Sequence, residues 1–266
     1  MKTKLVEFKN NRNDVLRGIY TFPESDNSEN CVICLSGFER SATTEKKFKK
    51  VTDEISKNSL PVLRLDFTGC GLSDGNFRNT TLNNLTEDFV KAIEYLEEKG
   101  AKKFSIVAHS LGCLVAANQI EQIENKVKKI VLLSPALNQK DLLKYWFVVN
   151  KIKKEKIDAE ITWQNYKEYL NENEFLEDCR RTDKTTKANF IDSDYFLQCK
   201  DMDLSDNFKL FLDKILHIHG SKDVVVPLES VSVNFLNQII VKDGDHDLEK
   251  PDYMKQWMKK TVEFLK

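Results

Sequence analysis

The sequence predicts an α/β domain: a mostly parallel central sheet of about eight strands flanked by helices, with one mostly helical insertion. Three observations carry that expectation. Short β-branched and aromatic runs alternate with longer stretches whose apolar residues recur at helical spacing. Cys31 to Leu35 is apolar at every position, as a central strand covered on both faces requires. The alternation breaks once, from about Leu137 to Asn207, and then resumes.

In chain order, Lys4 to Phe8 and Val15 to Phe22 read as two strands joined by the polar turn Asn10 to Asp14, an antiparallel pair at a sheet edge. A polar loop over residues 23–30 leads into the strand Cys31 to Leu35, then a helix from about Thr44 to Asn58. The strand Leu60 to Phe67 runs into the glycine-rich loop Thr68 to Gly75. That loop fails as a dinucleotide fingerprint. After Gly69 and Gly71 the third glycine would fall at position 74, which is Asp, and no helix begins before about Leu82. Leu82, Leu85, Phe89, Ile93 and Leu96 form one helical stripe, stopped by Gly100. Lys103 to Ala108 is a strand, a helix starts at Leu111, and Val127 to Leu133 is a further strand.

The stretch 137–207 is too long for a loop without structure of its own. Its aromatics, Tyr145, Trp146, Trp163, Tyr166, Phe175 and Tyr195 among them, suit a mostly helical cap, partly self-packed and partly roofing a pocket. The expected division is a core of residues 1–136 and 208–266 with a cap of 137–207. The core resumes with a strand at Lys214 to Gly220, a helix at Leu228 to Phe235 and a strand at Asn237 to Val241. Pro251 opens a last helix that puts Met254, Trp257, Met258 and Leu265 on one face.

Composition excludes some functions. A formal net charge of −1 over 266 residues offers no general attraction to nucleic acid or an anionic membrane. Charges interrupt Met1 to Phe8, so no secretory pattern is read there. No apolar run reaches the roughly eighteen residues of a membrane span. A cytoplasmic location is expected, with the six cysteines as free thiols. Cys31 and Cys34 have the spacing of a zinc or redox pair. On a strand, however, their side chains point to opposite faces, and no second pair completes four ligands. They are read as buried filler, and neither metal nor cofactor is expected. The expected partner is a small molecule; a homodimer is compatible with the sequence.

Candidate chemistry centres on Ala108-His109-Ser110-Leu111-Gly112, where a strand turns sharply into a helix. Small residues at 108 and 112 let the two backbones approach, with the Ser110 hydroxyl projecting outward. That is the geometry of a nucleophile elbow, with Ala where the motif usually has its first Gly. An ordinary turn that contains Ser is the alternative. A serine hydroxyl needs a base within reach, and the base needs an orienting carboxylate. Of the four histidines, His109 should be turned elsewhere by the elbow. His217 and His219 share one face of a strand and could be a metal pair, though no nearby carboxylate or cysteine completes it. His246 lies in the loop Asp243 to Asp247, at the carboxyl end of a strand, where sites in open α/β sheets gather. Asp223 lies just past another strand end. Asp245 and Asp247 flank His246, but chain neighbours rarely aim at the ring. A surface histidine and a turn aspartate are the plain alternatives.

Four motifs then stand together: Leu35-Ser-Gly-Phe38, Asp66-Phe-Thr-Gly-Cys-Gly-Leu-Ser-Asp-Gly75, Ala108-His-Ser-Leu-Gly112, and His219-Gly-Ser-Lys-Asp-Val-Val-Val-Pro227 with Gly244-Asp-His246. On them the chain resembles the serine hydrolases of the α/β-hydrolase family. The likeness is to the esterase branch that includes cinnamoyl and feruloyl esterase-like enzymes with an inserted cap. The departures are Ala108 for Gly, and Ser36 where the family often has His. The resemblance implies Ser110 as nucleophile, Asp223 as orienting acid and His246 as base, in that chain order. It also implies an oxyanion hole from the backbone N–H groups of Phe38 and Leu111, and cleavage of a small-molecule ester through an acyl-enzyme. A thioesterase, an amidase or peptidase, or an acyltransferase would use the same machinery. A non-catalytic binding protein on this fold is a further alternative. A haloalkane dehalogenase would need a carboxylate at the elbow, which Ser110 excludes.

Overall fold

The structure, a computed structural model, describes residues 1–24 and 29–266. Part of the polar loop expected over residues 23–30 therefore lies outside the described residues. The strands in chain order are β1 (Lys2–Lys9), β2 (Val15–Phe22), β3 (Asn30–Leu35), β4 (Val62–Leu65), β5 (Lys103–His109), β6 (Val127–Leu133), β7 (Lys184–Thr185), β8 (Phe190–Ile191), β9 (Ile215–Gly220) and β10 (Asn237–Val241). Eight of them form one sheet in the order β1-β2-β4-β3-β5-β6-β9-β10, while β7 and β8 pair as a separate hairpin. From β4 to β10 every pairing is parallel. The antiparallel pairings are β1 with β2 and β2 with β4, at the edge where the sequence predicts them.

Among the described residues seven α-helices accompany the strands: α1 (Lys46–Ser56), α2 (Leu82–Glu98), α3 (Leu111–Gln119), α4 (Gln139–Glu155), α5 (Glu172–Cys179), α6 (Ser193–Cys199) and α7 (Pro251–Leu265). Successive side chains on a strand face opposite ways, and that alternation builds two cores. Ile33, Leu35, Ile106 and Ala108 pack with Leu85, Phe89 and Ile93 of α2 and Leu114 of α3. Val32, Cys34 and Val107 pack on the other face with Phe48, Val51 and Ile55 of α1 and Trp257 of α7. Cys31 and Cys34 are divided between these two cores, both buried. Helix α2 starts where the Thr81 hydroxyl accepts the Asn84 N–H at 3.1 Å, a side-chain N-cap.

One expected element is absent as such. Over Leu228 to Phe235 the chain makes only a short 3-10 turn, Leu228–Ser230, followed by irregular backbone. Leu228 and Phe235 have helical spacing, but Val231, Ser232, Val233 and Asn234 between them are β-branched or turn-forming residues with weak helix preference. The segment 137–207 contains α4, a 3-10 turn at Tyr166–Tyr169, α5, the β7–β8 hairpin and α6. Tyr145, Val148, Ile152 and Tyr166 form a cluster of their own, whereas Phe175 and Tyr195 join the core over α2 and α3. No helix among the described residues is long and apolar enough to cross a membrane. Because β3, β5, β9 and β10 run parallel, their carboxyl ends open on one edge of the sheet.

Candidate active site

Ser110 sits at the junction of β5 and α3 with φ 53° and ψ −116°, a left-handed conformation that a non-glycine residue adopts only under restraint. The restraints are visible. Its N–H donates to Leu133 O at 2.9 Å, and its own carbonyl accepts from Cys113 N at 3.0 Å and Ala136 N at 3.3 Å. Gly112 explains how close the helix comes. A Cβ there would lie 2.5 Å from Leu35 O and 2.7 Å from Ser36 O. Ala108, by contrast, is buried in register with Leu35 and Leu132 and its methyl group fits.

The loop after β10 brings His246 to this turn. His246 Nε2 is 3.0 Å from Ser110 Oγ, and His246 Nδ1 is 2.8 Å from Asp223 Oδ2. Asp223 comes from the loop after β9. Its Oδ1 accepts the N–H groups of Val225 and Val226, each at 2.9 Å. Burial pushes the Asp223 carboxyl up, but hydrogen bonds from His219 and His246 outweigh it, and the net shift is well below the ordinary carboxylate range. An ionised Asp223 only accepts, so Nδ1 of His246 carries the proton and Nε2 presents its lone pair to the Ser110 hydroxyl. These three residues come from distant parts of the chain, and His246 lies within hydrogen-bond reach of both Ser110 and Asp223.

The two residues read as backbone donors lie on either side of the elbow, Leu111 next to Ser110 in the chain and Phe38 next to Gly37, whose loop packs against Ser110. Leu111 is the first residue of α3, one of the helix positions whose N–H has no partner within the helix. Phe38 lies in the loop after β3. Among the described residues nothing accepts its N–H. Gly37 sets that loop against the elbow, since a Cβ there would be 3.1 Å from both Ser110 Cβ and His109 Nδ1. The Phe38 ring packs edge-on against Phe77, centroids 5.2 Å apart, and lies 5.4 Å from Tyr195 of α6.

Several neighbours were not legible as parts of the site. His109 does turn away from the hydroxyl, and its target is specific: Nε2 donates to the carbonyl of His246 at 2.9 Å. Burial, with the nearby charge of Lys47, depresses the His109 imidazole well below its usual range, so it stays neutral with Nδ1 unprotonated. Arg40, two residues past Phe38, binds both carboxylate oxygens of Asp247. The carboxylate of Glu39 accepts from Thr186 Oγ1, Ala188 N and Asn189 Nδ2, which ties the loop after β3 to the β7–β8 hairpin. From α4, Tyr145 Oη donates to Val224 O at 3.2 Å and Trp146 Nε1 to Val225 O at 2.6 Å.

The pair His217 and His219 needs correction. They share a face of β9, as expected, but a carboxylate does lie nearby: Asp223 Oδ2 is 3.4 Å from His219 Nε2. The two rings bond to each other, Nε2 of His217 to Nδ1 of His219 at 3.1 Å. Among the described residues no group of three or more His, Cys, Asp or Glu side chains is disposed to hold a metal ion.

A family model described as serine aminopeptidase, S33, matches residues 26–248. Among solved structures, Est1E from Butyrivibrio proteoclasticus with ferulic acid bound aligns with a TM-score of 0.69 at 18% identity, over 98% of this chain and 96% of that one. An esterase from Pyrococcus furiosus gives 0.64 at 20% identity, over 99% and 90%. Alpha/beta hydrolase domain-containing protein 10 from mouse gives 0.65 at 15% identity, over 98% of each chain. At these identities the likeness is one of fold. An acyl transferase of Shewanella woodyi is 30% identical over 108 residues, which are 39% of this chain and 34% of that protein. The match thus spans only about a third of the length of that curated relative.

Proposed function

Since the chain belongs to the serine aminopeptidase S33 family, a family of α/β-hydrolases, we propose that this hydrolase cleaves carboxylic esters through an acyl-enzyme on Ser110. The observation that carries the reading is the unbroken line from Asp223 through His246 to Ser110, with contacts of 2.8 and 3.0 Å, ending on a strained elbow. In the first step His246 Nε2 takes the hydroxyl proton as Ser110 Oγ attacks the ester carbonyl carbon. Asp223 holds the other ring nitrogen protonated and stabilises the imidazolium. The N–H groups of Leu111 and Phe38 receive the oxyanion. His246 then gives its proton to the leaving alcohol, and the acyl group stays on Ser110. A water enters and attacks the acyl carbon as His246 takes its proton, and His246 then returns that proton to Ser110 Oγ as the acyl–oxygen bond breaks, releasing the acid.

The segment 137–207 is read as a cap over this edge, anchored by Tyr145 and Trp146 on the loop that carries Asp223 and by the hairpin on Glu39. Its aromatic content supports an apolar acyl or alcohol group, with specificity set by the cap. The cysteines at positions 34, 70, 113, 179 and 199 are free thiols, which suits a reducing compartment and a cytoplasmic location. A second reading is favoured by the family's own description and by the acyl transferase relative: an amide or peptide substrate, or an acceptor other than water. A panel of p-nitrophenyl esters, acyl-CoA and aminoacyl amides separates these, since ester turnover should lead. Ser110→Ala should lower kcat by about a millionfold and abolish labelling by a fluorophosphonate. Comparable turnover by that variant sinks the assignment.

A further inference from the structure

Behind Asp223 lies a second line of hydrogen bonds that the mechanism above does not use. Gln238 of β10 places Nε2 3.0 Å from His217 Nδ1, His217 Nε2 is 3.1 Å from His219 Nδ1, and His219 Nε2 is 2.8 Å from Val226 O. The same His219 Nε2 is 3.4 Å from Asp223 Oδ2, the oxygen that binds His246. Both imidazoles are fully buried, while Gln238 is exposed.

The direction of every bond in this line is fixed by its chemistry. A carbonyl oxygen can only accept, so His219 Nε2 must carry a proton. A neutral His219 then has a bare Nδ1, which can only accept, so His217 Nε2 must donate. The Nδ1 of His217 is bare in turn and accepts an N–H of the Gln238 amide. Each ring holds one proton, and no member can reverse without setting two donors or two lone pairs face to face. A charged His219 would aim N–H at N–H unless His217 changed tautomer and the Gln238 amide turned over with it. Burial pulls His217 down to about 3, so that ring stays neutral.

We propose that His219 is a positioning residue for Asp223, held in its Nε2–H form by His217 and Gln238. The inference rests on the reading of Asp223 as the acid that orients His246. The Asp223 carboxylate has two jobs, to stay ionised and to keep Oδ2 aimed at His246. Val225 and Val226 fix only Oδ1. On the Oδ2 side the His246 N–H binds at 2.8 Å, and the His219 N–H, donated chiefly to Val226 O at 2.8 Å, also faces Oδ2 from 3.4 Å and so favours the orientation that His246 needs. In the wrong tautomer His219 would present a lone pair there and repel Oδ2. The carboxylate that completes a pair of strand histidines is thus the acid itself, and the pair works as a donor chain.

The test uses the whole chain and has two arms. Long-range proton–nitrogen NMR of isotope-labelled protein reads the tautomers directly, and both His217 and His219 should be protonated at Nε2. In kinetics with a p-nitrophenyl ester, His219→Leu and His217→Leu should lower kcat by about ten- to a hundredfold, the range found when a partner behind a functional group is lost. KM should hardly move, as neither ring belongs to the substrate-facing machinery. Gln imitates the Nε2 donor of histidine, so His219→Gln and His217→Gln should recover most of the rate. Either histidine found protonated at Nδ1 overturns the proposal, even if the leucine variants do not fold. A folded His219→Leu protein with wild-type kcat also overturns it. Wild-type protein whose Ser110 fails to react with a fluorophosphonate would instead sink the hydrolase reading, and this proposal with it.

Discussion

Replacing Asp223 by asparagine swaps one carboxylate oxygen for an amide nitrogen, and the surrounding donors decide which. Oδ1 accepts two backbone N–H groups, from Val225 and Val226 at 2.9 Å each, so an NH2 there would set donors against donors. The amide oxygen must therefore keep that place, and the NH2 falls where Oδ2 was. There it faces His246 Nδ1 at 2.8 Å and His219 Nε2 at 3.4 Å. His246 can keep a hydrogen bond only by accepting at Nδ1, which moves its proton to Nε2. Nε2 then points a proton at Ser110 Oγ across 3.0 Å and has no lone pair to offer. The serine would lose its base while every heavy atom stayed in place. The expected loss in kcat is about four orders of magnitude, or roughly 5 kcal/mol of transition-state stabilisation. The assay is initial-rate hydrolysis of a p-nitrophenyl ester by Asp223→Asn, with urea unfolding run beside it to show an intact fold. A folded variant within tenfold of wild type would refute the tautomer argument, because geometry leaves it no other way to keep a base.

Two further outcomes follow from buried contacts. Gly112→Ala puts a methyl group against two backbone carbonyls, at 2.5 and 2.7 Å, that cannot yield without moving β3 from α3. The urea midpoint should fall by an amount equivalent to about 1–3 kcal/mol; an unchanged midpoint would mean the close approach is not as drawn. Acid should destabilise the fold before ordinary carboxylates titrate. His217 is depressed to about 3 and His109 is also well below the ordinary 6.5, both first of all by burial. The unfolded chain takes up these protons near 6.5 and the folded chain does not, so stability is full above that pH and declines as pH falls toward 3. The slope is about 1.4 kcal/mol per pH unit for each ring. Between about pH 7 and 5 the two together remove up to roughly 4 kcal/mol, or roughly 10 °C of Tm. The raised carboxyls of Glu45 and Asp88, pushed up by burial, offset part of that loss. A Tm that does not move over that interval would show that the rings are not held neutral.

What the sequence made legible is what local pattern and chain order encode. An all-apolar run at Cys31 to Leu35 can only be a strand covered on both faces, and it lies fourth in the sheet. The stripe Leu82, Leu85, Phe89, Ile93 and Leu96 is buried along its length. Ser110, Asp223 and His246 could be nominated because each follows a strand, and parallel strands share one carboxyl edge. Contacts made by loops folding back were not legible. The spacing of His219 and Asp223 along the chain says nothing of their 3.4 Å approach, which depends on the turn through Ser221 and Lys222. His109 finds a main-chain carbonyl, and no residue type announces a carbonyl. The helix expected at Leu228 failed for a related reason. Leu228 and Phe235 stand at helical spacing, only Phe235 of them buried, and the β-branched and turn-forming residues between them decided the backbone.

How the site keeps its shape can be judged by comparing the forces on its loops. The Arg40 and Asp247 side chains join the loop of Phe38 to that of His246, but they are 45% and 44% exposed, and such pairs contribute little. Lys47 is fully buried, 2.6 Å from Glu45 and 3.5 Å from Glu249, yet the desolvation of a buried ammonium offsets much of its attraction. Removing one partner would be damaging; the trio as a whole adds little net stability. The larger constraint is on hydrogen bonds of main-chain groups around the elbow: Ser110 N on Leu133 O, Ser110 O under Cys113 and Ala136, His246 O on His109, and Asp223 Oδ1 under Val226. Each would leave a buried donor or acceptor unpaired if its loop shifted, at about 1–3 kcal/mol apiece. Strain at Ser110 of about that size can be sustained only because several such bonds oppose its release. Salt should therefore leave the alignment of Ser110 and His246 largely unaffected, whereas a change to any one of these buried partners should disturb it.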